Sequence, residues 1–371
     1  MRQNVIERQQ AAMEAAGLDA LVAISPENFA YTTGFVIPSQ PLMRWRHNAA
    51  VVTRSGSAAL LAVDMEASTA RSKAPGVDLR VWGEFTDRPM TVLASLLRDL
   101  GVASDRIGVE MDYLPARDFE ELRVALPGVT WSAAEGVYNR LRQNKTAEEI
   151  GLLRRLSRLA DQSIAEAFAH VRAGMTEMDI AGALTRAVYA RGAEYFKLMI
   201  IATGERSEFP NVGPTDRVLK PGDLCRVEIF PVIGGYHAGV CRTAVVHEAA
   251  PQAKTIWRNL TECKHIVLDA IRPGASTRAI YQAFLKKFGE LGLPSISFVG
   301  HGIGLHLHEE PYVGKYGNSC LEADMVLGIE PLVYGAGMGF GLQNKDMVAV
   351  TPTGVELLSD QTNTDELIVI R

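Results

Sequence analysis

The feature that most constrains the fold is an internal repeat in the second half of the chain. Segment 172–192, RAGMTEMDIAGALTRAVYARG, matches segment 272–292, RPGASTRAIYQAFLKKFGELG, at an offset of 100 residues. Each copy follows a long helical pattern and opens with a Gly and a Thr or Ser of the type that caps helices. Two amphipathic helices can look alike by chance, but the shared Arg-x-Gly start and final Gly favour duplication. The repeat therefore predicts a domain with pseudo-twofold symmetry.

Each copy of the repeat leads into an apolar segment typical of a strand. YFKLMIIAT (195–203) follows the first copy, and SISFVG (295–300) follows the second. A curved antiparallel sheet backed by paired helices would bury both helix faces and leave the concave face of the sheet open for a site.

The first part of the chain has a different pattern. Five short apolar runs between 19 and 112 read as strands, and 88–101 and 115–126 read as helices. A capping-box pair, Thr146 and Glu149, then begins a long helix. Because 371 residues exceed one ordinary core, we predict an α+β protein, with an α/β domain over 1–140 and the duplicated domain over 145–371.

Composition excludes several classes of protein. Hydrophobic residues make up 47% and charged residues 22%, which is typical of a globular chain. The formal charge is 38 − 43 = −5 and no basic run is dense, so small-molecule or peptide partners are favoured. We expect a small-molecule substrate and neither nucleic acid nor membrane as a partner. The start of the chain lacks an apolar targeting segment, which predicts a cytoplasmic location. Four cysteines without CxxC spacing indicate neither disulfides nor a thiolate zinc site.

The densest group of unusual residues is GHGIGLHLHEEP, over 300–311. His301, His306 and His308 lie within eight positions, although the chain has only eight histidines. In an extended segment His306 and His308 share a face, because side chains repeat every two residues. A single histidine is usually structural, whereas three in this setting favour a functional site.

Three charged residues stand inside apolar strand patterns. Glu228 lies in CRVEIFPV, Glu330 in LGIEPLVYG and Lys345 in GLQNKDMVAV. Taken alone, Lys345 is best explained as a solvated strand residue. Burial of an unpaired carboxylate costs several kcal/mol, so together the three predict two acids and one base that converge on one concavity.

These motifs resemble the pita-bread family of methionine aminopeptidases, Xaa-Pro aminopeptidases, prolidases and creatinase. GHGIGLHLHEEP, GIEPLVY and LKPGDL…GGY…RT occur in the family order. The resemblance covers nearly the whole chain, and it implies a creatinase-type N-terminal domain followed by the duplicated pita-bread domain.

The family's peptidases hold two divalent metals with two aspartates, one histidine and two glutamates. The resemblance places these ligands on Glu228, Gly239, His301, Glu330 and Lys345. Gly239 would enlarge the pocket, and a lysine ammonium has no lone pair for a metal. With a summed charge of −2 + 1 = −1, we expect no dinuclear site, no metal and no other cofactor. One ion on Glu228, His301 and Glu330 remains an alternative if Lys345 points away.

Because the chain departs from the metal ligands of the peptidases at several of these positions, it resembles the family's metal-free branch, which includes creatinase and ectoine hydrolase. This resemblance implies a metal-independent hydrolase that opens an amidine- or amide-type C–N bond in a small zwitterionic metabolite. Ectoine hydrolase also has a glutamate at the position that Glu228 occupies in this chain, and that glutamate is understood to act as the nucleophile. The expected catalytic residues are Glu228, His301, His308, Glu330 and Lys345.

Further residues are expected to bind the substrate. Phe209 and Asn211 lie in EFPNVGP, where the acting histidine of creatinase falls on Asn211, and the substrate-holding glutamate of creatinase falls on Cys241. An asparagine amide does not serve as a general base, so creatine itself is not the expected substrate. His237 and His306 complete the predicted lining.

Arg46, in MRWRHNAAVV, falls where creatinase has an arginine that grips the substrate's carboxylate across the dimer interface. A guanidinium suits this role because its planar fork donates two parallel hydrogen bonds. The resemblance therefore implies a homodimer in which the N-terminal domain contributes to the partner's site. The simpler interpretation is a solvated loop of Arg44, Arg46 and His47.

Other functions stay open from the sequence. One is a metal-dependent Xaa-Pro aminopeptidase or dipeptidase, against which Gly239 and Lys345 argue. Another is a lyase in which Lys345 or a histidine removes a proton beside a leaving group. The last is a non-catalytic pita-bread protein that binds peptides, against which the retained histidines and acids argue.

Overall fold

The computed structural model describes residues 2–371, which form two compact units divided between Arg142 and Gln143. The sequence predicts the units as 1–140 and 145–371. Within residues 2–371, no helix is long and apolar enough to cross a membrane. The cytoplasmic location stays a prediction.

The first unit is a six-stranded sheet with helices. Its helices are α1 (Gln3–Ala16), α2 (Pro26–Thr33), α3 (Ala67–Lys73), α4 (Pro89–Asp99), α5 (Ala116–Ala125) and α6 (Glu135–Gln143). Its strands are β1 (Ala20–Ala23), β2 (Ala49–Thr53), β3 (Ala58–Val63), β4 (Asp78–Trp82), β5 (Arg106–Val109) and β6 (Thr130–Ala133). The strand order is β4-β3-β2-β1-β5-β6, antiparallel within β1–β3 and parallel elsewhere.

Among the strands of this sheet, the sequence pattern misses only β6, one of the two edge strands. The central strands β1 and β2 are buried along their whole length, so they read as continuous apolar runs. Strand β6, with the sequence TWSA, lies at the edge and has no fully buried residue. It therefore lacks the apolar pattern that identifies the other five strands.

The second unit contains two helix pairs at the positions of the sequence repeat. They are α7 (Ala147–His170) with α8 (Glu177–Ala190), and α9 (Pro251–Ala270) with α10 (Thr277–Glu290). Thr146 and Glu149 form the predicted capping box, and Ser276 accepts a hydrogen bond from the backbone N–H of Ala279. Each pair packs together, α7 against α8 and α9 against α10.

The strands of the second unit form two five-stranded sheets and a short two-stranded ribbon. They are β7 (Tyr195–Thr203), β8 (Leu224–Ile233), β9 (Tyr236–His237), β10 (Val240–Val246), β11 (Phe298–Gly302), β12 (Glu309–Gly314), β13 (Val326–Ile329), β14 (Leu332–Val333), β15 (Leu342–Gln343), β16 (Asp346–Thr351), β17 (Gly354–Leu357) and β18 (Ile368–Ile370). The orders are β18-β10-β8-β7, with β9 on β8, and β12-β11-β13-β16-β17.

One antiparallel bridge, between Cys241 and Lys345, joins the two sheets of the second unit. Each of these residues donates its backbone N–H to the other's carbonyl oxygen, at 3.3 Å. The predicted α+β architecture, an α/β first domain followed by a duplicated domain, is confirmed. The bridge places a residue that follows the first copy of the repeat beside one that follows the second.

Candidate active site

Strand register brings Glu228, Cys241 and Lys345 into one row. Glu228 on β8 pairs with Cys241 on β10, and Cys241 bridges to Lys345, which directly precedes β16. Residues paired across strands point to the same face of a sheet. The register therefore aims the Glu228 carboxylate and the Lys345 ammonium into the same space.

The Lys345 ammonium lies between the two acids. Its Nζ is 3.0 Å from Oε1 of Glu228 and 3.1 Å from Oε2 of Glu330. The lysine side chain is only 1% exposed, so the interpretation of Lys345 as a solvated strand residue is wrong. Burial alone would lower the pKa of Lys345, but the charges of Glu228 and Glu330 outweigh burial and raise it. The three residues thus form a buried cluster with one cation and two anions.

His301 links this cluster to the histidine motif. Its Nδ1 donates to the carbonyl oxygen of Gly302 at 2.8 Å, and its Nε2 lies 3.0 Å from Oε1 of Glu330. Burial would raise the pKa of Glu330, but the charge of Lys345 and the contact with His301 lower it to about 2. Glu330 is therefore ionised at neutral pH. A β-carbon on Gly328 would meet Cε of Lys345 at 3.1 Å, so this glycine makes room for the lysine.

His308 lies on the outer side of His301. The two imidazole rings stack with 3.9 Å between their centroids and 29° between their planes. Burial, together with the electrostatic effects of the neighbouring His301 and Lys345, lowers the pKa of His308 to about 4. At neutral pH the ring is uncharged, so it offers one hydrogen-bond donor and one acceptor.

Three further residues support Glu330, and the sequence reasoning missed them. Gln343 donates from Nε2 to Oε2 of Glu330 at 2.9 Å. The Oε1 of Gln343 accepts hydrogen bonds from the Tyr334 hydroxyl and from Arg226, at 3.3 Å for Arg226. Two donors on Oε1 fix which way the amide points. The spacing along the strands could have identified two of them. Gln343 stands two residues before Lys345, and Arg226 two residues before Glu228, and side chains two residues apart in a strand lie on the same face.

The two-metal site that the family resemblance implies can be tested against these residues. One atom each from His301, His308 and Glu330 lies within 4.8 Å of the others, as metal ligands would. However, the Lys345 Nζ lies 3.4 Å from Nε2 of His301 and 3.1 Å from Oε2 of Glu330. At an effective dielectric of about 20, a dication 4 Å from an ammonium is repelled by about 8 kcal/mol. The ammonium therefore competes with an ion for these ligand atoms.

The position of the family's second metal-binding aspartate, which is Gly239 in this chain, has no room for a side chain. A β-carbon on Gly239 would clash with the ring of Phe230, which fills that space. The same ring lies under the lysine, with 4.9 Å between Nζ of Lys345 and the ring centroid. The prediction that Gly239 enlarges the pocket is wrong, because Phe230 occupies the room. These residues do not fit a two-ion site.

The predicted substrate-binding residues of this unit lie in different settings. Cys241 is buried in the row beside Glu228, and burial raises the pKa of its thiol. His237 is also buried, and burial lowers its pKa to about 3; within residues 2–371 its Nε2 has no hydrogen-bond partner. His306 is half-buried. Phe209 and Asn211 are exposed, and the Phe209 carbonyl accepts from Arg226 at 2.5 Å.

Arg46 lies in the first unit and is engaged there. Its Nε and Nη2 donate to the two carboxylate oxygens of Glu84, each at 2.7 Å. The planar fork that would grip a substrate carboxylate is thus occupied by an internal partner. Substrate binding by Arg46 stays a prediction, and it requires the pair with Glu84 to open.

Known proteins resemble the chain over both units. Residues 151–352 match the model of metallopeptidase family M24, and residues 6–143 match the creatinase/prolidase N-terminal domain. The "Probable dipeptidase PepE" of Mycobacterium tuberculosis is 31% identical over 366 residues, which cover 97% of this chain and 94% of that protein. The Xaa-Pro dipeptidase of Pyrococcus furiosus is 29% identical over 229 residues, 61% of this chain and 65% of that protein.

A solved structure agrees over nearly the full length. The crystal structure of dipeptidase PepE from Mycobacterium ulcerans superposes with a TM-score of 0.86 at 29% identity, and it covers 99% of this chain and 97% of that one. The first-unit sheet and the duplicated second unit are therefore both features of this fold.

These relatives correct the predicted function. A metal-independent hydrolase of an amidine- or amide-type bond in a small metabolite is wrong, because the relatives are named dipeptidases and an Xaa-Pro dipeptidase. Gly239 and Lys345 are departures at two positions within a similarity that covers 97% of the chain. The expected hydrolase class is confirmed at the level of a peptidase family. The chain belongs to metallopeptidase family M24 and carries a creatinase/prolidase-type N-terminal domain.

Proposed function

We propose that this protein is a peptidase that hydrolyses dipeptides, including those of the Xaa-Pro type. The observation that carries the proposal is the 31% identity, over 97% of the chain, with a protein named as a dipeptidase. The buried carboxylates and histidines of the site are consistent with hydrolysis, which needs a polarised water and a proton carrier.

The residues of the site divide the chemistry between them. Water held by Glu228 attacks the carbonyl carbon of the scissile bond, and Glu228 takes the water's proton and returns it to the amine nitrogen as the C–N bond breaks. Glu330, with its pKa at about 2, is a weak proton acceptor. It holds Lys345 and His301 in place instead.

Lys345 and His308 act on the developing oxyanion. The Lys345 ammonium pairs with Glu228 and Glu330 and lies 3.4 Å from Nε2 of His301, so groups of the site itself surround it. Its effect on the substrate is therefore the field of a fixed positive charge. The neutral His308 ring donates a hydrogen bond to the carbonyl oxygen. These residues do not fit the two-ion site, so the side chains of the chain itself supply the chemistry of each step.

A panel of Xaa-Pro and other dipeptides tests the proposal. The protein is assayed as purified, after chelation, and after addition of Mn²⁺, Co²⁺ or Zn²⁺, and free amino acids are measured. We expect release from at least one dipeptide class, lost in Glu228→Gln and retained in the control Glu290→Gln, which changes an exposed glutamate on α10. If no dipeptide is cleaved under any of these conditions, the proposal fails.

Membership of the family's metal-free branch is a finer hypothesis. The names of the relatives do not support it; what favours it is the Lys345 ammonium among the ligand atoms and the Phe230 ring against Gly239. Elemental analysis of the purified protein tests it, and two bound ions per chain would contradict it. Assembly as a homodimer is likewise a proposal, which sedimentation tests.

A further inference from the structure

A loop of residues 303–308 joins β11 to β12 and carries His308 at its end. Ile303 and Leu305 are buried, so packing fixes the first half of the loop. His308 is exposed, and its ring stacks on that of His301. The position of the His308 ring therefore depends on how the second half of the loop is held.

The Glu309 carboxylate holds the second half of the loop. Glu309 directly follows His308 and begins β12. Its Oε1 accepts a hydrogen bond from the backbone N–H of His306 at 2.9 Å, so the side chain reaches back over residues 306–308. The Glu309 side chain is only 3% exposed, so little water competes for this oxygen. A charged acceptor makes a stronger hydrogen bond than a neutral one, which suits the carboxylate to fix the backbone beside His308.

A buried lysine orients this carboxylate. The Lys145 Nζ lies 3.2 Å from Oε2 of Glu309, and the lysine side chain is also only 3% exposed. The backbone of Lys145 is fixed as well, because its N–H donates to the carbonyl oxygen of Asp324 at 2.9 Å and the next residue, Thr146, is the N-cap of α7. Since both ends of the lysine are held, Oε1 of Glu309 is left to face His306.

The backbone of the loop packs directly against this ion pair. A β-carbon on Gly304 would lie 3.3 Å from Oε2 of Glu309 and 3.4 Å from Cε of Lys145. The carbonyl oxygen of Gly304 accepts a hydrogen bond from the backbone N–H of His237 on β9, at 2.9 Å. The loop is thus held at Gly304 by β9 and at His306 by Glu309.

Stability is a weak explanation for this buried ion pair. Apolar residues of similar volume can replace a buried pair without loss of stability, because burial of two charges is itself costly. An apolar side chain at position 309 could not accept the N–H of His306, which would lose its partner. What distinguishes the ion pair from an apolar one is therefore its hydrogen bond to the loop.

We infer that Glu309 and Lys145 are positioning residues that set the place of the His308 ring through the backbone of residues 306–308. The inference rests on the proposed function, in which His308 donates a hydrogen bond to the carbonyl oxygen of the scissile bond. Both residues act through the loop and neither is assigned a contact with the substrate. Loosening the loop should therefore lower kcat and leave KM nearly unchanged.

Two double variants separate positioning from stability. Lys145→Met/Glu309→Gln and Lys145→Met/Glu309→Met both remove the ion pair, so neither leaves a charge buried alone. Only the glutamine keeps an oxygen that can accept the N–H of His306. Because misplacing a catalytic group by about 1 Å can lower a rate about 100-fold, we expect kcat on a cleaved dipeptide to be at least about tenfold higher for the glutamine variant, with similar KM. Denaturant unfolding shows whether each variant is folded.

Chemical labelling tests the same point without turnover. Diethylpyrocarbonate modifies accessible imidazole rings, and mass spectrometry gives the rate at each histidine. We expect the rate at His308 to be about threefold higher in the methionine variant than in the glutamine variant, because a loosened loop opens more often. The internal control is His265 on α9, which is 51% exposed and should react equally in both.

The outcomes separate this inference from the proposed function. If dipeptides are cleaved and the two double variants have equal kcat, the positioning role is overturned while the peptidase stands. If no dipeptide is cleaved, faster labelling of His308 in the methionine variant supports the role, and equal labelling overturns it.

A conservative variant covers the case in which the methionine variant does not fold. Glu309→Asp keeps the charge that pairs with Lys145 but is one methylene shorter, so it cannot reach both Lys145 and His306 in their present places. It should show the same fall in kcat and the same faster labelling of His308. The control is Glu290→Asp, at an exposed position on α10, and equal behaviour of the two aspartate variants would overturn the inference.

Discussion

Lys345 and Glu228 form a buried ion pair, with 3.0 Å between Nζ and Oε1. The two residues come from the two halves of the duplicated unit, and the backbone bridge from Cys241 to Lys345 holds them in one row. This pair therefore connects the symmetry of the fold to the chemistry of the site.

Loss of the lysine charge should destabilise the protein strongly. Lys345→Met leaves the carboxylates of Glu228 and Glu330 buried without their cation, and breaking a buried pair in this way costs about 3–5 kcal/mol. Denaturant unfolding measures the change in free energy. The control Lys286→Met, at an exposed helix position, should change it by no more than about 0.5 kcal/mol. Equal stability of the two variants would contradict a buried, ionic Lys345.

Filling the space at Gly239 should also destabilise the fold. Gly239→Ala forces its β-carbon against the ring of Phe230, and overpacking of this kind costs about 1–3 kcal/mol. In the background of Phe230→Leu the same substitution should cost less, because the ring is gone. The unfolding free energies of the two single variants and the double variant form a cycle. Strict additivity would show that the ring does not occupy this space.

Gln343 should affect turnover more than substrate binding. Gln343→Leu removes the hydrogen bond from Nε2 to the Glu330 carboxylate, and hydrogen bonds to charged groups contribute about 1.5–3 kcal/mol. We expect kcat on a cleaved dipeptide to fall at least about tenfold with KM little changed, because Glu330 positions Lys345 and His301. Gln282→Leu, at an exposed position on α10, is the control. A change confined to KM would argue against positioning.

The protein should lose stability at acid pH because the Asp346 carboxylate becomes protonated. This buried carboxylate lies 2.9 Å from Arg242 and 2.7 Å from Lys264. Burial would raise the pKa of Asp346, but the charges of Arg242 and Lys264 lower it to about 2. Because the unfolded pKa is about 3.9, the stabilisation is present above about pH 4 and is lost as pH falls towards 2.

Linkage puts this contribution of Asp346 at about 2–3 kcal/mol. Asp346→Asn should be less stable than the unaltered protein at pH 6 and should lose less stability between pH 4 and 2, measured by urea unfolding at each pH. Asp269→Asn, at an exposed position on α9, should follow the unaltered protein. Parallel pH curves for Asp346→Asn and the unaltered chain would exclude this linkage.

Much of the fold was predictable because its signals are local. The helix repeat, the cap at Thr146 and the apolar strands each depend on residues near one another in sequence. The edge strand β6 was not predictable, since its sequence TWSA contains no run or alternation of large apolar residues. The peptidase function was misjudged for another reason: two altered ligand positions outweighed the similarity of the remaining chain.

The sequence by itself predicted that Glu228, Glu330 and Lys345 converge, because charged residues inside apolar strand patterns need partners of opposite sign if they are buried. Only the tertiary structure decided what surrounds them. Phe230 against Gly239 and Gln343 against Glu330 depend on the register of strands distant in sequence. A slip of one residue would turn each side chain to the opposite face of the sheet, so no local pattern could reveal these contacts.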